Sequence, residues 1–288
     1  MREIKYHNGE TIKIDGLHFY GCSYVAGQEL LDEEMPDPMG ISPKEMAQQP
    51  KEPVEDYYRR KLGRELLFKK KQKLEKQLSW CQHTSNFLKV RPYNHGIHGC
   101  SMTQVKGLIM QHIIEGLYEK EKEAIVIGLT GFAREMIFAE DEMLVFNFGS
   151  IGSARSLVIA TDAERRGDLH FARKYMTIKG VYTLFWYFMQ EIYSIVNICK
   201  THDIKFYILP MLDPFDMKWY EKQYDFDLTS PEFSEQIEFI ESEIDKYIIE
   251  DMKIDPLGGN IIKRLPRGHP CIESHEKFGI KVGEKLII

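Results

Sequence analysis

The sequence lacks the features that mark secreted or membrane-spanning proteins. Its five cysteines are an odd number and include no CxxC pair, which argues against a disulfide framework and predicts a reducing, cytoplasmic setting. The opening residues, MREIKYHNGETIKI, contain no apolar run, so no signal peptide is predicted. The most apolar stretch, residues 181–198, is interrupted by Gln190 and Glu191, which predicts a buried helix and no membrane partner.

The chain also lacks a large excess of charge of one sign. A formal net charge of -6 over 288 residues argues against a nucleic-acid partner. Neither a GxGxxG nor a P-loop motif is present, which disfavours a nucleotide-binding protein. Hydrophobic residues make up 43% and charged residues 28%, as expected of a globular chain with a sizeable core. No repeat or clear linker divides residues 1–288, so a single domain is predicted.

Apolar runs alternate with segments of helical spacing along most of the chain. The predicted strands are residues 18–21, 88–93, 123–129 and 205–209, with residues 143–148 as a further short strand or an edge hairpin arm. The predicted helices are residues 101–118, 169–201, 231–252 and 272–279. Such alternation is typical of a parallel sheet that is covered by helices on both faces. The sequence therefore predicts an α/β fold, a three-layer flavodoxin-like sandwich with a mostly parallel sheet.

Residues 32–80 interrupt that alternation. Prolines are concentrated in its first part, between residues 36 and 53, which predicts an irregular surface excursion. Residues 57–80 form a predicted helix rich in Lys and Arg. A solvated helix face is the main interpretation of this charge, and a phosphate- or nucleic-acid-contacting patch is the alternative.

Small polar residues follow the predicted strands. In open parallel sheets, functional residues gather at the carboxyl ends of the strands. Ser23 follows the first strand and has Gly21 and Gly27 on either side, which predicts a tight turn that presents the serine hydroxyl to a cleft. Residues 94–101 follow the second strand, and Thr130 follows the third. These positions are the first candidates for a functional site.

These segments, together with a loop before the last helix, resemble the motif blocks of the SGNH (GDSL-like) hydrolase superfamily in their order along the chain. The four matching phrases are FYGCSYVAG, NHGIHGCS, GLTG and GHP at residues 268–270. The variant phrases GCS, NHGIHGCS and GHPxxxxH look most similar to poorly characterised SGNH-like proteins of bacteriophages. The resemblance implies a serine esterase or deacylase without a cofactor, acting in the host cytoplasm or the virion. Its substrate would be a small-molecule or carbohydrate ester, such as an O-acetyl group on a sugar.

The resemblance also implies roles for individual residues. Ser23 would be the nucleophile and one oxyanion donor, and His269 would be the general base. The Gly99 N–H would be a second oxyanion donor. Thr130 stands where the family has Asn, so a hydroxyl would replace an amide as the third donor. Ser101 closes the second block among the substrate-binding positions, and it also suits the N-cap of the following helix.

The last block departs from the family pattern. The family carries Asp two or three residues before the His, but Arg267 and Pro266 occupy those positions here. Asp213 or Asp255 would have to supply the carboxylate that orients the base, and the sequence leaves that choice open. The alternative function is a catalytically degenerate SGNH-like module that binds a partner, such as a virion protein, through residues 32–80.

Other polar residues have mainly structural interpretations. The spacing of His95, His98 and Cys100 is compatible with metal ligands, but no partner pair occurs elsewhere, so no metal site is predicted. His275, in the last helix, is interpreted as a structural or supporting residue. Cys22 is interpreted as a packing residue beside Ser23.

Overall fold

A computed structural model describes most of the chain. The described residues are 1–27, 30–31, 54–97, 100–132, 134–139, 142–147, 169–211, 213–224, 234–249, 252–253, 262 and 270–287. Within them, the strands are β1 (Arg2–Lys5), β2 (Thr11–Ile14), β3 (Gly16–Tyr20), β4 (Arg91–Asn94), β5 (Glu123–Gly128), β6 (Arg134–Ala139), β7 (Glu142–Asn147) and β8 (Lys205–Leu209). The helices are α1 (Ser23–Ala26), α2 (Val54–Leu78), α3 (Trp80–Leu88), α4 (Met102–Ile114), α5 (Leu169–Thr201), α6 (Met217–Tyr224), α7 (Ser234–Asp245) and α8 (Ile272–Leu286).

A parallel four-stranded sheet forms the centre of the fold, in the order β4-β3-β5-β8. Ile248 forms a parallel bridge to Ile208 and so extends the sheet beyond β8. Every residue of β3 and of β5 is buried, as expected of central strands covered on both faces. Two antiparallel hairpins, β1–β2 and β6–β7, accompany this sheet.

Helices cover the sheet on both faces. On one face, Trp80 of α3 packs edge-on against Phe19 and against Phe278 of α8, with ring centroids 5.3 and 5.6 Å apart. On the other face, α4 lies over β3, where His112 bonds to Tyr20, and α5 packs against α4 and β8. This arrangement confirms the predicted α/β fold with a mostly parallel sheet. The single-domain assignment stays a prediction.

Several element boundaries differ from the predictions. The second strand begins at Arg91 instead of residue 88, because Leu88 ends α3 and Lys89 takes a left-handed conformation with φ 59°. Helix α7 stops at Asp245, since the chain then turns to bridge β8. The last helix runs on to Leu286. Helix α5 and strand β8 lie where predicted.

One hairpin was not predicted and the other was predicted in part. The β1–β2 hairpin was not predicted, although residues 11–14 alternate exposed and buried positions and Asn8-Gly9 is a hairpin signal. The predicted strand at residues 143–148 is confirmed as β7, but its partner β6 was not predicted.

The insertion divides into a part outside the described residues and a helix. Residues 32–53 lie outside the described part of the chain, while α2 confirms a helix in the second part. One face of this helix is solvated as predicted, since Lys69, Lys70 and Lys73 are exposed, but two charged residues near its end lie on the inward face. Lys71 is 3% exposed and Glu75 is 1% exposed, and their charged groups approach to 3.9 Å. This end of the helix packs into the fold because neighbouring Ser79 and Trp80 belong to the core.

The apolar helices and the cysteines bear on the membrane and disulfide predictions. Among the described helices, none is both long enough and apolar enough to cross a bilayer. All five cysteines are buried and carry no disulfide. Burial raises the pKa of Cys199 to about 12, so this thiol is protonated and unreactive.

Candidate functional site

The turn after β3 is built by a glycine. Gly21 has φ +152°, and a Cβ there would lie 2.5 Å from Val25 Cγ2 and 2.7 Å from the Gly128 carbonyl oxygen. The turn continues directly into α1, where the Cys22 carbonyl accepts hydrogen bonds from the backbone N–H groups of Val25 and Ala26 at 2.9 and 3.0 Å. The predicted tight turn is thus confirmed for the backbone. The Ser23 side chain lies outside the described part of the structure.

The segment after β4 lies against this turn. The His95 N–H donates to the Phe19 carbonyl at 2.9 Å, and the Ile97 N–H donates to the Gly21 carbonyl at 3.0 Å. Gly96 has no room for a side chain, since a Cβ there would lie 2.5 Å from the Ala26 nitrogen. The backbone of residues 95–97 is therefore fixed directly against α1.

Asn94 holds the same segment from the side of α3. Its Nδ2 donates to the Val25 carbonyl at 2.8 Å and to Ser79 Oγ at 2.9 Å. Its Oδ1 accepts from the Gly96 N–H at 2.9 Å. The first Asn of the motif block thus has a structural role that joins β4, α1 and α3.

Of the two predicted site residues in the second block, the structure describes one. Gly99 lies outside the described residues. Ser101 is fully buried, its Oγ accepts from the Gln104 N–H at 3.3 Å, and its own N–H donates to Gln104 Oε1 at 3.1 Å. This capping box confirms Ser101 as the N-cap of α4. The structure does not test its predicted place among the substrate-binding residues.

Thr130 lies at the carboxyl end of the neighbouring strand β5. It is 3% exposed, and its N–H donates to Met102 Sδ at 3.5 Å. Its hydroxyl has no hydrogen-bond partner among the described residues. Buried hydroxyls are rarely left without a partner, so this group is the notable polar feature at the carboxyl end of β5.

Of the two aspartates that could orient the catalytic base, the structure describes Asp213. Asp213 follows β8 and is half-buried, and burial raises its pKa to about 6. Asp255 and His269 lie outside the described residues. His275 is buried, and its Nδ1 accepts from the Trp80 N–H at 3.0 Å, in line with a structural role. His98 also lies outside the described residues.

A buried polar cluster that was not predicted runs along β3, from Glu123 at the start of β5 to His95 just after β4. His18 Nε2 lies 3.0 Å from Glu123 Oε2, and His18 Nδ1 lies 3.0 Å from His95 Nε2. We call these three residues the histidine chain. On the same face, the Tyr20 hydroxyl bonds to His112 Nδ1 at 2.6 Å and to the Tyr118 hydroxyl. A signal for this cluster was available, because His18 and Tyr20 alternate with Leu17 and Phe19 in β3.

Burial shifts the titration of this cluster. It lowers the pKa of His18 and of His112. Burial also lowers the pKa of His95 to about 3, and the neighbouring His18 and His112 add to that effect. The imidazoles are therefore neutral at pH 7, since desolvation disfavours their charged form.

Comparisons with known proteins add a resemblance of fold only. No protein-family model and no curated protein matches the sequence. Solved structures include a putative G-D-S-L lipolytic protein from Desulfitobacterium hafniense, with 12% identity, TM-score 0.41, and 94% of this chain and 99% of that chain covered. A catalytic mutant of an acetylxylan esterase from Geobacillus stearothermophilus shows 13% identity, TM-score 0.44, and 95% and 94% coverage.

Proposed function

We propose that this protein is a serine esterase or deacylase of SGNH type that hydrolyses an ester such as an O-acetyl group on a carbohydrate. Ser23 is the nucleophile and His269 is the general base. The N–H groups of Ser23 and Gly99 and the hydroxyl of Thr130 bind the oxyanion. Ser101 supports the second motif block from the N-cap of α4.

The reaction proceeds in two halves. Ser23 Oγ forms a bond to the ester carbonyl carbon while His269 takes the serine proton. The tetrahedral intermediate then loses the alcohol, which leaves with the proton from His269. Water attacks the acyl-enzyme by the same route and releases the carboxylic acid. The oxyanion donors stabilise both tetrahedral intermediates, and each such donor is worth about 10²–10³ in rate.

One observation carries the proposal. The glycine-built turn after β3 abuts the end of β5, since the Gly128 carbonyl lies 2.7 Å from where a Gly21 Cβ would be. Ser23 follows β3 and Thr130 follows β5, two parallel strands paired in the sheet, and the buried Thr130 hydroxyl has no hydrogen-bond partner among the described residues. A serine and a hydrogen-bond donor at the same end of a parallel sheet support this proposal, because acyl transfer needs a nucleophile and an oxyanion donor close together.

Asp213 is the acid that we assign to the base. It follows β8 at the carboxyl edge of the sheet and is half-buried. Burial raises its pKa to about 6. A desolvated carboxylate of this kind is stabilised when an imidazolium forms next to it.

The test is labelling by a fluorophosphonate probe together with hydrolysis of acetylated sugars. We expect Ser23→Ala to lose both activities, with a fall in rate on the order of 10³-fold or more, because no other group supplies the attacking oxygen. Circular dichroism and thermal unfolding should show that the variant keeps its fold. His269→Ala should lose labelling as well.

Ser242→Ala is the matched control. Its hydroxyl is exposed and, within the described part of the chain, bonds to the Phe239 carbonyl of its own helix, so this variant should label like the wild type. A folded wild type that neither labels nor hydrolyses any ester would contradict the proposal. That result would favour the non-catalytic binding module.

A further inference from the structure

We propose that Glu123, acting through His18, fixes the tautomer and orientation of His95. The histidine chain thereby positions residues 95–97 against the turn that carries Ser23. Its catalytic consequence rests on the proposed function, because the segment leads into Gly99. The histidine chain contains none of the proposed reacting residues. Its three members are thus positioning residues.

The hydrogen-bond donors of the chain follow from the carboxylate. Glu123 Oε2 accepts from the Glu119 backbone N–H at 2.9 Å, and the Arg91 guanidinium lies 3.6 Å from Oε1. With a backbone N–H and a guanidinium on either side of it, this carboxyl acts as a hydrogen-bond acceptor, so His18 Nε2 donates to it in the proposed arrangement. A neutral imidazole has one N–H, so His18 Nδ1 accepts and His95 Nε2 donates. His95 Nδ1 is then left as an acceptor.

Ring stacking fixes the orientation of the same imidazole. The His95 ring stacks on Tyr20 with centroids 4.7 Å apart and an interplanar angle of 21°. It lies nearly parallel to the His18 ring at 5.3 Å, and it meets the His112 ring edge-on at 4.6 Å. Stacking limits tilting of the ring, and the bond to His18 limits its rotation within the stack. A second layer of hydrogen bonds commonly orients a histidine in this way.

The position of His95 affects the candidate site because the backbone of residues 95–97 is bonded to the turn that carries Ser23. Its N–H is bonded to β3, and the Ile97 N–H is bonded to Gly21. Gly96 lies so close to Ala26 that even a Cβ would approach its nitrogen to 2.5 Å. A displaced His95 would therefore either break these bonds or push into α1. Because a misplacement of about 1 Å can cost on the order of 10²-fold in rate, such a shift would lower catalysis.

The first test uses the wild-type protein and needs no activity. Nitrogen-15 NMR of the histidine side chains distinguishes a protonated ring nitrogen from an unprotonated one. We expect both His18 and His95 to carry their proton on Nε2 and to have an unprotonated Nδ1 at neutral pH. A proton on Nδ1 of His18, or two protons on either ring, would overturn the proposal.

The second test breaks the chain while it preserves ring packing. In His18→Phe, we expect the amides of His95 and Ile97 to exchange with solvent at least ~10-fold faster, because local opening becomes easier. His18→Gln restores one donor and one acceptor, so it should recover part of the protection. His112→Phe is the matched control, since it removes a bond of the same cluster but leaves the chain intact. Equal exchange in His18→Phe and the control would overturn the proposal.

The kinetic test separates this proposal from the proposed function. On an acetylated sugar, His18→Phe should lower kcat by about 10–100-fold with KM little changed, because the positioned groups act in the transition state. His112→Phe should keep the wild-type kcat. If the wild type hydrolyses no ester, the proposed function fails, while the NMR and exchange results still decide whether the chain positions residues 95–97.

Discussion

On β3, Leu17 and Phe19 face one side of the sheet while His18 and Tyr20 face the other, and none of the four is more than 3% exposed. The first face packs apolar rings edge-on through Trp80 and Phe278. The second face contains a network of hydrogen bonds between imidazole, phenol and carboxylate groups. One strand thus supports two buried surfaces of equal depth and opposite chemistry.

The difference lies in how each face responds to change. Apolar packing is not directional, so it depends mainly on volume and tolerates substitutions that conserve it. A buried hydrogen-bond network is directional, because the loss of one member leaves its partner unsatisfied. We therefore expect the apolar face to contribute most to stability and the polar face to determine geometry and pH response.

The largest expected effect is on the apolar face. Trp80 is fully buried between Phe19 and Phe278, so Trp80→Ala should lower the free energy of unfolding by about 3–5 kcal/mol. Urea unfolding followed by circular dichroism measures this loss. Trp80→Phe, which fills most of the volume, should lose much less. Equal losses in the two variants would show that volume is not what this face requires.

The next effect is the pH dependence that the polar face should impose. The pKa of His95 falls from 6.5 to about 3 on folding, so the unfolded chain binds the extra proton between these values. Stability is then complete above pH 6.5 and falls as the pH drops towards 3, at about 1.4 kcal/mol per pH unit for each such histidine. His18 and His112 act in the same direction, because their pKa values are also lowered.

Urea unfolding at a series of pH values measures this slope. The groups around His95 that titrate or carry charge are Glu123, Arg91, Lys76, Tyr20, Tyr93, Tyr118, His18 and His112. His95→Phe should remove one histidine's share of the slope, while Trp80→Phe should keep it. A slope unchanged in His95→Phe would contradict the assignment.

The smallest expected effect is a gain in stability from a substitution on the outer side of α4, the helix that covers the polar face. Gly107 is exposed, and a Cβ there would meet nothing within 4 Å. Gly107→Ala should therefore stabilise the protein by up to about 1 kcal/mol through helix propensity. Thermal unfolding checks the gain, and the pH slope should not change. Gly21→Ala is the contrasting variant, since its Cβ would clash with Val25 and Gly128, and it should destabilise.

Much of the scaffold was predictable from local sequence. The run of β-branched residues in β5 and the long periodic segment of α5 predict a strand and a helix at nearly the observed bounds. The glycine at residue 21 predicted the tight turn, because its φ of +152° is rarely accessible to other residues. The hairpins were harder, since their strands are short and their alternation is brief.

The candidate site was predictable only in part. The order of the motifs pointed to the carboxyl ends of the strands, where Ser23 and Thr130 lie, because parallel strands end on the same side of the sheet. The role of Asn94 as a clamp on Val25 and Ser79 was not predictable, since its partners belong to other elements. The burial of Lys71 and Glu75 was also hidden, because a charged helix gives no sign of which end packs into the core.

The sequence by itself determined the alternation of strands and helices, the glycine turns and the polar residues after each strand, because these depend on local backbone preference and periodicity. Only the tertiary structure decided that His18 meets Glu123 across 105 positions, and that His95 lies between them and the turn of Ser23. Such pairings depend on strand register and on the desolvation of both partners together. No local pattern encodes those quantities.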